Sequence, residues 1–451
     1  MFGSGGRQLG GFITAGSEVV WLKRVANEYA FLVGRLAAVS RHFRNEVSRL
    51  LERVESLTLH EPHFPDPLRI TPPILIRRLA LAPHRAIPPS SFRPIIEDAA
   101  LHGVSELSFR LTRRTRLPKN VLTVKSLLVL ALDTCAVPPW SDVSCPCLRT
   151  LRLHRVAIHQ DNINKILASA SCLETLEMEY CTGHGAGKGC TVESSSVKNL
   201  VFRPTLKLEG TVIRASRLRV LTLYTRSRAK SLELAPAPEI RKVYLHISKS
   251  KSMKKSMESF RVRAFLDAAL KLECLTLRGH AMKVLSYEYE KNPKLTVMFQ
   301  DLRILSVSLN ISSEQEPVFL LKLLESCPNL QKFTLSAAET DNGSDLPRFT
   351  DHKDRLPSIS CLTSSLEQFK FLGFKPQEYQ RELIVYLLTV AKQLKKVGVE
   401  FDKRQLAAVK QILSVRTSPM RGHLQSTRET TTWSWSTPDR VSIYSFKGLS
   451  L

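Results

Sequence analysis

The 451-residue chain carries 43% apolar residues, with 66 Lys and Arg against 41 Asp and Glu, for a net charge of +25. That apolar content supplies a continuous core and excludes a wholly disordered chain, and no stretch reaches the roughly 18 uninterrupted apolar residues of a membrane helix. The basic surface favours acidic partners without choosing among protein, nucleic acid and lipid.

Residues 1–20 are glycine-rich and are expected to be flexible. Glu18, Lys23 and Arg24 interrupt any apolar run there, so no secretory signal is read. Residues 21–52 have helical character and suit a cap for whatever follows. From residue 53 one pattern recurs, apolar-x-x-apolar-x-apolar. Early copies are Val54/Leu57/Leu59, Ile76/Leu79/Leu81, Val104/Leu107/Phe109, Leu127/Leu130/Leu132, Leu148/Leu151/Leu153 and Leu173/Leu176/Met178. Val197/Leu200/Phe202, Leu218/Leu221/Leu223, Ile240/Val243/Leu245, Leu272/Leu275/Leu277 and Leu302/Leu305/Val307 continue the series. Leu330/Phe333/Leu335, Leu366/Phe369/Phe371 and Leu394/Val397/Val399 close it. The last two apolar residues of each copy stand two apart, so a short strand points both to one side. One unit cannot bury that side alone, and stacked units can. The expected fold is therefore α/β: a leucine-rich-repeat solenoid, a horseshoe with short parallel strands on its concave face and helices or loops on its convex face.

The longer repeats leave room for helices. Apolar faces at helical spacing appear at Ile163/Ile166/Leu167/Ala170, at Val262/Phe265/Leu266/Ala269/Leu270 and at Val318/Leu320/Leu321/Leu324. Two more follow at Leu383/Ile384/Leu387/Leu388/Ala391 and Leu406/Val409/Ile412/Leu413. The expected division is an array over 53–360, terminal repeats over 361–415, and a disordered Ser/Thr/Arg-rich tail over 416–451. Most of the nine cysteines, among them Cys147, Cys172, Cys274 and Cys327, stand beside leucines in apolar strings, which suits buried reduced thiols and a cytosolic or nuclear protein.

Several stretches resemble plant F-box proteins with leucine-rich repeats and a C-terminal FBD-type region. Ser144-Cys145-Pro146-Cys147-Leu148 and Ser326-Cys327-Pro328-Asn329-Leu330 are similar to that family's entry into a strand, and Ser171-Cys172-Leu173 is a shorter form. Ser365 to Phe374, with a helix over Glu382–Ala391 and a strand over Leu394–Val399, resembles an FBD segment. Leu36 to Arg44 is similar to the closing part of an F-box, with Phe43 in the tryptophan-like place, although no Leu-Pro opening precedes it. Residues 21–52 thus read either as a degenerate F-box remnant or as the solenoid's cap. The resemblance implies a substrate receptor of an SCF-type ubiquitin ligase, with a protein target on the repeats. It also implies a Skp-type adaptor, hence a cullin ligase, docked through Leu36, Val39 and Phe43.

No enzymatic signature is present, and neither a cofactor nor a metal is expected. Gly183 to Gly189 lacks P-loop spacing, and Cys181, His184 and Cys190 lack paired zinc-ligand spacing. The basic runs Arg113/Arg114/Arg116 and Lys249/Lys251/Lys254/Lys255 read as solvated loops, and without interleaved aromatics they do not favour nucleic acid. The candidate partner-binding residues are those flanking the paired strand positions: Arg152, His154, Glu177, Glu179, Tyr224, Tyr244, His246 and Arg278. Tyr and Arg are favoured interface anchors, and the mixed charge suits a protein target.

Overall fold

The computed structural model describes residues 56–59, 77–82, 103–112, 115–139, 143–183, 190–203, 211–226, 232–248, 260–291, 298–310, 315–337, 359–375, 377–401, 405–413, 421–426 and 431–436, with six single positions between them. The adaptor-site residues Leu36, Val39 and Phe43, the two basic runs apart from Arg116, and residues 184–189 lie outside these. The chain divides into two compact units, Met1–His184 and Gly185–Leu451.

The first unit is a parallel sheet of β1 (Ser56–Leu59), β2 (Arg78–Leu81), β3 (Glu106–Arg110), β4 (Val129–Asp133), β5 (Thr150–His154) and β6 (Thr175–Glu179), each paired with the next in sequence. The paired apolar positions stack in register. One ladder runs Leu57, Leu79, Leu107, Leu130, Leu151, Leu176 and the other Leu59, Leu81, Phe109, Leu132, Leu153, Met178. From Leu79 onward every member is buried. Helix α1 (Gln160–Ser169) packs Ile163 and Ile166 inward, as its spacing predicts.

In the second unit β8 (Asn199–Arg203), β10 (Val220–Arg226), β12 (Lys242–Ser248), β14 (Cys274–Gly279), β15 (Ile304–Leu309), β16 (Lys332–Ala337), β17 (Gln368–Phe374) and β18 (Lys396–Phe401) form one parallel run. Within this unit two ladders of the same kind run from Leu200 to Val397 and from Phe202 to Val399. A second parallel sheet of β7 (Thr191–Ser194), β9 (Thr211–Ala215), β11 (Leu232–Leu234) and β13 (Phe260–Arg261) accompanies the short repeats. The first three of these strands lie in repeats with no helix among the described residues, whereas β13 is followed in the same repeat by the short helix Arg263–Asp267. The Thr-Val and Leu-Glu-Leu alternation of the first three buries Val192, Ile213 and Leu234. The longer repeats carry α2 (Arg263–Asp267), α3 (Ala281–Lys291), α4 (Gln315–Glu325), α5 (Ser360–Ser364), α6 (Glu378–Val390) and α7 (Leu406–Leu413). Helix α3, which the sequence reading did not mark, buries Met282, Val284 and Leu285.

Three expectations need correction. The tail over 416–451, expected to be disordered, contains β19 (Arg421–Ser426) and β20 (Thr431–Ser436). These form an antiparallel hairpin whose second strand pairs with β18, Val397 opposite Trp435 and Val399 opposite Trp433. The last strand of a repeat sheet leaves an edge of open backbone groups, and a hairpin satisfies them without needing the repeat's pattern. Leu270, assigned to an inward helical face, is 61% exposed, because α2 ends at Asp267. Cys147 and Cys172, expected to be buried, are exposed, although all nine cysteines are free thiols.

The cysteine error exposes a fourth position in the repeat. The N–H of the first leucine of a copy donates to the carbonyl three residues earlier: Leu148 to Cys145, Leu173 to Ala170, Leu218 to Ala215, Ile240 to Ala237, Leu272 to Ala269, Leu330 to Cys327 and Leu394 to Ala391. In these seven copies the residue at the start of the tight turn is a buried Ala or Cys, while Val124 and Phe299 hold the same place before Leu127 and Leu302. The residue just before the leucine, where Cys147 and Cys172 stand, faces out. Burial pushes the thiols of Cys135, Cys181 and Cys361 up to about 12, so they remain protonated at neutral pH.

Gly279 closes β14 at φ +62°, and a Cβ there would lie 2.2 Å from the carbonyl oxygen of Ile247 on the neighbouring strand. That oxygen already accepts the N–H of His280 at 2.7 Å. Gly279→Ala should destabilise the second unit by about 1–3 kcal/mol through left-handed strain and this contact. A thermal melt within error of the parent would refute the assignment.

Candidate functional site

The residue after the second apolar position of each copy points away from the core, and register brings these residues into rows. In the first unit Arg110, Asp133, His154 and Glu179 are successive partners. The row is charge-alternating and largely self-paired. His154 Nδ1 stands 2.9 Å from Asp133 Oδ1, Arg110 Nε lies 3.4 Å from Asp133 Oδ2, and the Thr134 hydroxyl donates to Asp133 Oδ1 at 2.7 Å. Burial alone would raise the Asp133 carboxyl, but the Thr134 hydroxyl, His154 and Arg110 outweigh it and hold the group below its ordinary value. In the parallel row, between the two apolar positions, Arg152 Nε pairs with Glu177 Oε1 at 3.2 Å. Arg152 is exposed and Glu177 half-buried, and a pair so open to solvent contributes about 0–1 kcal/mol.

Three non-glycine residues, Thr134, Arg155 and Tyr180, follow β4, β5 and β6 with φ of 54–56°. Left-handed backbone at a non-glycine residue is strained, and the surrounding structure must hold it. Here the Thr134 N–H donates to His154 O and the Arg155 N–H to Glu179 O, each across one strand. The turn swings the Tyr180 ring edge-on to His154, with centroids 5.7 Å apart.

The second unit carries a different surface. Tyr224, His246 and Arg278 are successive partners on β10, β12 and β14, with Tyr244 in the adjoining row. The Tyr224 ring lies 5.2 Å from Tyr244 and 5.6 Å from His246. The Arg203 guanidinium at the end of β8 sits 3.7 Å above the Tyr224 ring centre. Burial lowers the pKa of His246, with Arg203 and Arg278 pushing the same way, so the ring is neutral at neutral pH. Burial first, and then the hydrogen bond with Tyr224, raises the Tyr244 hydroxyl. The result is a half-buried aromatic platform between two guanidinium groups.

All eight partner-face residues named from the sequence therefore stand on open strand positions. They fall into two sets: Arg152, His154, Glu177 and Glu179 in the first unit, and Tyr224, Tyr244, His246 and Arg278 in the second. The reading missed Arg110, Asp133, Tyr180 and Arg203. Writing the residue after the second apolar position of each copy in one column would have found three of these four. Tyr180 needed the turn geometry. Of the residues weighed as metal ligands near this turn, Cys181 and Cys190 lie among the described residues. Cys181 donates its Sγ hydrogen to Leu153 O at 3.4 Å, and among the described residues no three His, Cys, Asp or Glu side chains converge on a metal position. A polar cavity of about 390 Å³ between turns is lined by Arg303, Asn329, Gln331, Glu367 and Gln393 among others, with a single guanidinium and a single carboxylate. Among the described residues no helix is long and apolar enough to cross a membrane.

Stacked parallel strands with leucine ladders behind and polar, aromatic residues in front define a leucine-rich-repeat protein. A family model for the leucine-rich repeats of the FBD-associated F-box protein At5g56370 matches residues 92–335, and an FBD model matches residues 355–399. The chain belongs to this plant family of FBD-associated F-box proteins with leucine-rich repeats. Relatives in Arabidopsis thaliana include FBD-associated F-box protein At4g10400, 24% identical over 306 residues, covering 67% of this chain and 68% of the relative. Putative F-box/FBD/LRR-repeat protein At5g62970 is 25% identical over 331 residues, 70% of each chain, and FBD-associated F-box protein At5g60610 is 25% identical over 290 residues, 62% of this chain and 69% of the relative.

Proposed function

We propose that the chain is the substrate-recognition component of an SCF-type ubiquitin ligase. Its repeats hold a protein target on the open strand faces, and residues 21–52 dock a Skp-type adaptor through Leu36, Val39 and Phe43. The observation that carries the target-binding half is the rows of Arg, His, Tyr and carboxylate side chains held in register on those faces. Interfaces draw their anchors from Tyr and Arg on rigid supports. The names of the relatives carry the adaptor half. The role is one of holding, and ubiquitin transfer belongs to the partners. The nine free cysteines suit a reducing compartment, cytosol or nucleus.

The test is capture of a purified Skp-type adaptor by the full chain and by the full chain carrying Leu36→Asp, Val39→Asp and Phe43→Asp. Capture by the parent, reduced at least about tenfold in the variant, is expected because a buried charge disrupts an apolar docking face. No capture by the parent would overturn the ligase reading and leave a stand-alone leucine-rich-repeat scaffold.

A further inference from the structure

We infer that Cys147 and Cys172 form a paired-thiol modification site, which hydrogen peroxide closes into a disulfide between neighbouring repeats. The site lies in the turns that lead into β5 and β6 and does not depend on what the strand faces bind.

The two cysteines hold the same place in successive repeats. Each is the third residue of a tight turn. The Leu148 N–H closes the first by donating to Cys145 O at 3.1 Å, and the Leu173 N–H closes the second by donating to Ala170 O at 3.0 Å. Each cysteine stands three residues before a register pair, Thr150 opposite Thr175. The Arg149 carbonyl accepts the N–H groups of both Glu174 and Thr175 at 2.9 Å, which ties the second turn to the first just past the cysteines. Neighbouring strands lie about 4.8 Å apart, and a disulfide joins Cα atoms roughly 4.4–6.8 Å apart. Turns held in this register therefore bring the two cysteines within bridging range.

Side chains at this place reach the preceding repeat. The Ser126 hydroxyl, third in the turn that Leu127 N–H and Val124 O close, donates to Val104 O at 2.9 Å. The Ser365 hydroxyl, just before Leu366, donates to Leu330 O at 3.0 Å. Val104 and Leu330 are the first apolar residues of the copies before. In the turns before Ile240 and Leu272 the two third residues meet each other, with Lys271 Nζ 2.7 Å from Glu239 Oε1. Cys172 occupies the place of Ser126, and Leu148, directly after Cys147, occupies the place of Val104.

Both thiols are exposed, whereas the other seven are buried or half-buried. Peroxide oxidises accessible thiolates, and a second thiol within reach captures the product before it is oxidised further. Either thiolate attacks the peroxide. An S–O bond forms, the O–O bond breaks, and the released hydroxide takes up a proton to leave as water, giving a sulfenic acid. The neighbouring thiolate then attacks the sulfenic sulfur. The S–S bond forms, the S–O bond breaks and a second water leaves. The two thiols are together oxidised by two electrons, and the peroxide is reduced to two waters. The bridge ties the two ends of the repeat that carries β5 and α1.

The experiment treats the reduced full chain with hydrogen peroxide, alkylates the remaining thiols and reads the digested peptides by mass spectrometry. The expected result is a bridged peptide pair joining Cys147 to Cys172, lighter than its parts by two hydrogens, and two fewer alkylated thiols than in the untreated chain. Dithiothreitol should restore both thiols, because an exposed disulfide is open to a thiol reductant. Cys172→Ser should lose the bridge and leave Cys147 as a sulfenic acid that dimedone traps, and Cys147→Ser should do the reverse. Both variants should keep the parent circular dichroism. A dimedone adduct on the parent with no bridge would overturn the inference, and so would a bridge from Cys172 to Cys145 or Cys181. A bridge whose yield rises with chain concentration joins two copies and would overturn it too. So would the absence of any reaction at a peroxide concentration that oxidises free cysteine.

Discussion

Replacing Phe369 by alanine is expected to cost the second unit about 3–5 kcal/mol, the range for truncating a fully buried aromatic. Phe369 is 2% exposed and occupies the inner ladder of β17 between Phe333 and Val397. Its ring packs against that of Phe333 with centroids 5.7 Å apart, and the pair contributes about 0.5–1.5 kcal/mol beyond its burial. The flanking positions are rigid strands, so the cavity cannot collapse cheaply. Because each repeat touches only its neighbours, the loss should fall on β16, β17 and β18 and raise hydrogen exchange there before it does elsewhere. Phe369→Leu should cost markedly less. Urea unfolding followed by circular dichroism reads both variants, and a loss below about 1 kcal/mol for the alanine would show that the ladder does not bear on stability as argued.

The second large effect concerns Glu316, a carboxyl only 2% exposed in the first turn of α4. Its Oε2 accepts the Asn310 N–H at 2.8 Å. Burial pushes its pKa up to about 7, against the opposing influence of the Asn310 hydrogen bond and the Lys283 charge. The folded chain therefore binds this proton more tightly than the unfolded chain, where the group titrates near 4.5. Its contribution to stability is complete below pH 4.5, falls as pH rises towards 7, and is lost above that. The difference corresponds to about 3 kcal/mol across the window. Glu316→Gln keeps an acceptor for the Asn310 N–H and carries no charge. It should remove this part of the pH slope and be the more stable protein at pH 8, while matching the parent within about 1 kcal/mol at pH 4.5. Parallel stability profiles for parent and variant between pH 4.5 and 8 would refute the assignment.

Glu316 also marks where sequence reading stops. At the head of an amphipathic helix an acidic residue reads as a solvated partner of the helix dipole. It is buried because the chain at Asn310 folds back over it, a contact six residues away that no periodicity announces. The Leu-x-x-Leu-x-Leu spacing, by contrast, determined the strands, their inner faces and the stacking. A two-residue period fixes the side to which a side chain points, and a row of leucines has no stable alternative to neighbours of the same kind. Longer helical faces such as Leu383 to Ala391 were legible for the same reason, with a period of 3.6.

Lateral neighbours were not legible. Arg203 lies over Tyr224, and Asp133 beneath His154, only because backbone hydrogen bonds set the register between strands separated by loops of unequal length. The exposure of Cys147 and Cys172 was decided by the tight turn before each leucine. The hairpin over 421–436 was decided by the open edge of β18, which asks for backbone partners and is indifferent to side-chain pattern. The sequence by itself thus determined the repeat, its core and the set of outward residues. The tertiary structure alone decided which of those residues meet, because register is a property of paired strands and belongs to no single one of them.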